Sequence, residues 1–403
     1  MTDDKTLQLK LPLNHKFWRF FALTILGFSI LRGIRYPNMW SYSHFLFNYD
    51  LGFVKRGLLG EAMTHLGSPF FVSYEFFVIF SSILFAINML LLSMLIVDTV
   101  NGRNPILIGA LLVFISSMAI VFLAHTIGYF DQIGLLLTLL TLRLRTFRKK
   151  MLFLVIAMPI ALLIHEAILV IFFPVNFMSL LLTIGENGRV KKLALLTLFS
   201  AIILALVFTI SKYTPDQSQT DQLYANLQAN LDYPLRKDAF SVLHRDFAEN
   251  FQRTINRWTP ERLMELRQSV LVTVPSFLLF IYITALILKQ ASAKPTIILL
   301  AILASSSPLV LYFFGWDMHR WNTLTITTSF LMLTIVHNHA GQPAINVSHR
   351  IYFLFALMVF LNAISTITLF DGYYVKQFPF MEHQNYLLDL IRGIEKFPYI
   401  PSD

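Results

Sequence analysis

Runs of roughly 20 continuously apolar residues recur along the chain, separated by short polar links that collect glycine, proline and charge. Runs near residues 17–33, 69–97, 105–125, 193–211, 268–288, 295–314, 322–336 and 351–370 have the length and apolarity of helices crossing a bilayer. Another opens after the link from Thr126 to Gly134 and ends in Arg143, Arg145, Arg148, Lys149 and Lys150. The runs are continuous and not alternating, which excludes a membrane β-barrel. The pattern predicts an all-α fold, a polytopic transmembrane helical bundle.

One stretch breaks the pattern. Residues 151–184 are apolar except at their middle, where His165 and Glu166 stand, and both ends are basic. Basic flanks on both sides predict a hairpin of two short spans with His165 and Glu166 at its far turn. A single tilted helix is the competing reading, and it would reverse the side of every later loop. With the hairpin, the chain has about eleven spans, its N-terminus cytoplasmic and its C-terminus extracytoplasmic. Residues 1–16 read as a short polar tail and not as a cleaved signal, because no small-residue cleavage site follows the first span. The remaining polar segments are a first loop, 35–68, with an amphipathic piece from Leu58 to Leu66, a long segment, 212–267, and a tail, 371–403. Helical spacing of Phe240, Leu243, Phe247 and Phe251 marks the long segment as a helical extracytoplasmic lid.

Composition agrees with this layout. With 56% hydrophobic and 14% charged residues, the chain has too little polar surface for a soluble globule. The absence of cysteine excludes thiol catalysis, thiolate metal sites and disulfides. The net charge of +9 reads as topology and not as nucleic-acid binding, since the short links predicted to be cytoplasmic are rich in lysine and arginine. A bacterial inner membrane is the expected location.

Loop parity then carries the functional reading. The loops holding Asp50, Lys55 and Arg56, then Tyr129 and Asp131, then His165 and Glu166, then Trp316, Asp317, His319, Arg320 and Trp321 all fall on the extracytoplasmic side. Arginine and lysine neutralise phosphate, a carboxylate takes a proton from an acceptor hydroxyl, and tyrosine and tryptophan offer faces to a sugar ring. Gly52, Gly57 and Gly60 lack the spacing of a nucleotide-binding loop, so an activated lipid is the expected source of driving force.

A first span followed by an extracytoplasmic loop with an early acid, a second acid beside a later span and ten or more helices resembles the GT-C class of integral-membrane glycosyltransferases. Lipid-linked polysaccharide polymerases share the layout. The resemblance implies a polyprenyl-phosphate or polyprenyl-diphosphate sugar donor, a glycan or lipid acceptor, Asp50 as catalytic base and Asp131 as the second acid. Asp50 is followed by Leu51, where the family often carries a second acid.

In the resulting scheme Arg320, Lys55 and Arg56 hold the phosphate, and His165 and Glu166 position sugar or acceptor. Asp317, His319, Tyr129, Trp316 and Trp321 complete the binding set. Each residue also has a structural reading. Asp50 suits a helix cap or an ion pair with Lys55 or Arg56, Asp131 a helix cap, Lys55 and Arg56 interfacial anchors, His165 and Glu166 a mutual hydrogen bond in a broken helix, and the tryptophans a membrane belt. No cofactor is indicated; Mg or Mn is compatible with the acids, and His165-Glu166 lacks the second histidine of a zinc motif. The competing function is a transporter or flippase for an anionic or glycosylated lipid.

Overall fold

The computed structural model describes residues 15–231, 233–341 and 349–393. The described chain is all-helical, apart from one isolated bridge between Thr368 and Tyr374. In order the helices are α1 (His15–Gly33), α2 (Met39–Phe45), α3 (Leu58–His65), α4 (Tyr74–Asn101), α5 (Pro105–Ser116), α6 (Met118–His125), α7 (Asp131–Arg143), α8 (Phe147–Ile164), α9 (Ile168–Ile171), α10 (Phe173–Leu182), α11 (Arg189–Lys212), α12 (Gln217–Ala229), α13 (Lys237–Phe240), α14 (Phe247–Ile255), α15 (Pro260–Gln290), α16 (Pro295–Ser306), α17 (Met318–His339), α18 (His349–Ile364) and α19 (Met381–Ile391).

Four of these stretches are long and apolar enough to cross a membrane: α4, α11, α15 and Pro295–Phe313, the last joining α16 to a 3-10 turn. A fifth arises if α5 and α6, bent by 43° at their junction, count together. Ser117 causes that bend. Its backbone is extended, and its hydroxyl accepts from the Ala119 amide while donating to the Phe114 carbonyl, ending one helix and capping the next. The other apolar runs give helices that are shorter or more polar, such as the 13-residue α7, so length and apolarity alone support four or five spans here and not eleven. α17, buried over nearly its whole length, is the axis of the bundle. Its many threonines tolerate burial because their hydroxyls donate to carbonyls three or four residues back. Phe330 on α17 stacks on Phe114 at 4.2 Å between ring centres and meets Phe280 of α15 at 5.7 Å.

The predicted hairpin is present. Lys150 near the start of α8 donates from Nζ to Ser179 Oγ at 2.6 Å and to Thr183 Oγ1 at 3.1 Å, at the end of α10. In one continuous helix Lys150 and Thr183 would stand roughly 50 Å apart. The chain therefore reverses between them. The reversal occurs where His165 takes an extended backbone after α8, with the short α9 and then Pro174 in the first turn of α10 resuming the helix.

Other contacts sort the bundle into two ends. At one end Arg143 pairs with Asp98, Arg19 donates to Asn101, and Asn104 meets His337 Nε2 at 2.9 Å. Lys150 and Thr183 meet at the same end of their helices as Arg143 and the N-terminal part of α8. At the opposite end lie the loop after α1, the α6–α7 link, the α8–α9 break and the link into α17. The segment 212–267 forms α12, α13, α14 and the start of α15, with Phe240 and Leu243 buried against Phe47. α15 runs unbroken from Pro260 to Gln290, so the boundary expected at residue 268 does not exist as a break. Residues 394–403 of the predicted tail lie outside the described residues.

Candidate active site

Three glycines let the loop 46–60 fold tightly enough to deliver its charges. Gly52 has φ of +104°, and a Cβ on Gly60 would meet the Phe47 carbonyl oxygen at 2.2 Å. Between them Arg56 also takes a left-handed backbone, φ +66°, a conformation that costs about 1 kcal/mol for a non-glycine residue. The guanidinium placed in this way grips Glu166, Nε to Oε2 at 2.9 Å and Nη2 to Oε1 at 2.6 Å. Loop 1 and the α8–α9 break are thus joined across 110 residues of sequence.

A second clamp lies beside the first. Arg320, in the first turn of α17, donates from Nε to Asp131 Oδ2 at 2.6 Å, from Nη2 to Asp131 Oδ1 at 2.9 Å and from Nη1 to Asp317 Oδ2 at 3.1 Å. Between the clamps stands His165, with Nε2 3.8 Å from Asp131 Oδ1 and Nδ1 3.8 Å from Glu166 Oε2. Both ring nitrogens are buried and without a hydrogen-bond partner, and so is Trp321 Nε1. A buried polar atom without a partner is costly unless a ligand or water reaches it.

These groups border a cavity of about 500 Å³. Lys55, Arg56, Tyr129, His165, Glu166, Trp316, Asp317, Arg320 and Trp321 all line it, so the four predicted loops converge on one chamber. Asp131 sits just behind, reaching the chamber through Arg320. Two expected residues are placed elsewhere. Asp50 is exposed, accepts from Asn48 Nδ2 at 2.8 Å and is not among the lining residues. His319 packs toward Phe122, 6.3 Å between ring centres, and also lies off the lining.

Several lining residues carry no earlier expectation. Asn38 caps α2 by accepting from the Ser41 amide at 2.9 Å and donates to Asp371 Oδ2 at 2.8 Å, while Arg35 pairs with the same carboxylate at 2.7 Å. Trp40 and Phe370 each stack with Tyr129, ring centres 5.7 Å away. His44 meets the Ala239 carbonyl at 3.2 Å and Arg56 Nη1 at 3.4 Å. From the segment after α12 come Arg236, which grips Asp238 with two bonds of 3.0 Å, and Arg245. Asn38 is a residue type favoured at helix N-caps and is a signal that could have located α2; nothing comparable marks Arg236 or Arg245.

Electrostatics follow from this pairing. Burial pushes His44 well below the ordinary histidine range, and the Arg56 cation adds to the effect. Burial also lowers the Lys55 amine, whose Nζ donates to the Arg245 carbonyl, and raises the Tyr129 phenol and the Asp317 carboxyl. Among the described residues no group of three or more His, Asp or Glu side chains is arranged to hold a metal. No known protein family, curated protein or solved structure matches this chain.

Proposed function

We propose that this chain is an integral-membrane glycosyltransferase of the GT-C kind, or a lipid-linked glycan polymerase, working from a polyprenyl-phosphate or polyprenyl-diphosphate sugar at the extracytoplasmic end of the bundle. One observation carries the reading: a histidine with two unpartnered ring nitrogens, flanked by two carboxylates at 3.8 Å, in the wall of a chamber large enough for sugars. The lining tryptophans Trp40, Trp316 and Trp321 supply aromatic surface for a sugar ring.

The base moves accordingly. Asp50 lies off the chamber, whereas His165 borders it. The acceptor hydroxyl attacks the anomeric carbon, the bond from that carbon to the phosphate oxygen breaks with its electrons leaving on the phosphate, and the hydroxyl proton passes to His165. Burial and the Arg56 cation hold the His165 pKa down to about 3, and Glu166 and Asp131, each 3.8 Å away, offset part of that cost when the imidazolium forms. The cytoplasmic N-terminus, the bacterial inner membrane and a total near eleven spans, with the shorter helices crossing beside the long ones, belong to the same proposal. So does a lid role for α12–α14, opening to admit a glycan acceptor.

Reconstitution separates this reading from a carrier. Proteoliposomes holding the purified protein receive a lipid-linked oligosaccharide on one face. The transferase reading expects longer glycan and free polyprenyl (di)phosphate; a carrier moves the donor intact to the other leaflet and lengthens nothing.

A further inference from the structure

The cations that border the chamber are mostly spoken for. Arg56 is neutralised by Glu166, Arg320 by Asp131 and Asp317, and Arg236 by Asp238. A phosphate bound at Arg56 or Arg320 would have to displace a carboxylate from a largely buried ion pair, whereas the Arg236–Asp238 pair is exposed. Lys55 donates to the Arg245 carbonyl, and the densest group of cations without ion pairs among the described residues lies at the rim.

There three guanidiniums surround one indole. Arg257 Cζ stands 3.9 Å from the Trp316 ring centre, Arg262 4.2 Å and Arg253 5.8 Å. Arg245, a lining residue of the chamber, is close enough that its cation and those of Arg253 and Arg257 disfavour one another. None of the four forms an ion pair among the described residues, and Arg253 Nε is buried without a hydrogen-bond partner. The nearby carboxylates offset the cluster only in part: Glu249 acts on Arg245 and Asp317 on Arg262, but Asp317 already accepts from Arg320 and neither forms an ion pair with the four arginines. Cation–π contact orients guanidiniums but cancels none of their charge. Beside the cluster, α15 exposes Leu263, Met264 and Leu271, and the 3-10 turn after α16 exposes Phe313, each more than half open.

We infer that the arginine cluster around Trp316 docks the diphosphate of a lipid-borne substrate, with the lipid tail lying along the exposed apolar face of α15. Forked guanidiniums match the oxygens of a diphosphate in pairs, and Trp316, shared by cluster and chamber, places the attached sugar at the entrance to His165. This inference rests on the proposed transferase reading for the sugar, though not for the diphosphate.

The test is binding to the purified full-length protein in nanodiscs, with farnesyl diphosphate, inorganic pyrophosphate and farnesol as probes. Farnesyl diphosphate should bind best, weaken with added salt, and bind at least about tenfold more weakly to Arg257→Gln/Arg262→Gln. The exposed single variant Arg257→Gln covers the case in which the double variant does not fold, and Arg189→Gln, at a distant ion pair, should bind like wild type. Unchanged affinity in both cluster variants overturns the site. Equal binding of inorganic pyrophosphate overturns the lipid source, and equal binding of farnesol overturns recognition by charge. Loss of binding in the cluster variants, in a protein that transfers no sugar, keeps the docking site while the transferase reading falls; normal transfer and binding in those variants does the reverse.

Discussion

Arg56 and Glu166 show how much of the site depends on single side chains. Each is nearly enclosed, with side-chain exposures of 12% and 17%, and each is the other's counter-charge. Removing either leaves an uncompensated ion in a poorly solvated wall, whereas removing both leaves only a gap in packing. Arg56→Met and Glu166→Leu should therefore each cost about 3 kcal/mol in thermal or denaturant unfolding in detergent, and the double variant much less than their sum. Additive losses would show that the pair is not coupled. At this scale the sequence was legible in residue type but not in partner. Lys55, Arg56, Glu166 and Arg320 stand out as charges in apolar surroundings, yet the pairing of Arg320 with Asp131 spans 189 residues, and no local pattern encodes it. Asp50 misleads for the same reason, since its bond to Asn48 is a contact of only two residues' separation that satisfies it at the surface.

Among the elements that local patterning left out, such as α19 in the predicted tail, α2 bears most on the site. It is seven residues long, too short to display helical periodicity, and it is held by the Asn38 cap and by burial of most of its side chains. It carries His44, which ties loop 1 to α13 through the Ala239 carbonyl. Because burial holds His44 below its unfolded value, the unfolded chain takes up a proton in the ordinary histidine range that the folded chain refuses. Stability is complete above about pH 6.5 and declines as pH falls below it. The melting temperature should drop between about pH 7.5 and pH 5.5, and His44→Gln should remove part of the drop. An identical drop in the variant would assign the effect to other groups. The hairpin of α8 and α10, by contrast, was readable from its basic flanks, because charge at both ends and a polar interruption between them leave reversal as the consistent solution.

For the molecule as a whole, the segregation of polar clusters to one end was readable from loop parity, and the ion pairs joining loop 1, the α6–α7 link, the α8–α9 break and the link into α17 give it physical form. The number of spans was less legible. Apolar runs signal burial in lipid and burial in protein alike, and α17 is enclosed by its neighbours along nearly its whole length. The cavity also draws on residues after α12 and α18 whose sequence gives no hint of chemistry, since a chamber between elements is a property of packing.

The proposed function has this chamber make a glycosidic bond with His165 as base. The most direct measurement compares lipid-linked glycan precursors in cells lacking the protein, rescued at matched membrane levels with wild type, His165→Gln or Asp50→Asn. The account predicts that His165→Gln lets precursor accumulate on the outer leaflet, with transfer reduced by about a hundredfold or more, while Asp50→Asn restores normal glycan. Full rescue by His165→Gln, with failure of Asp50→Asn, would contradict it.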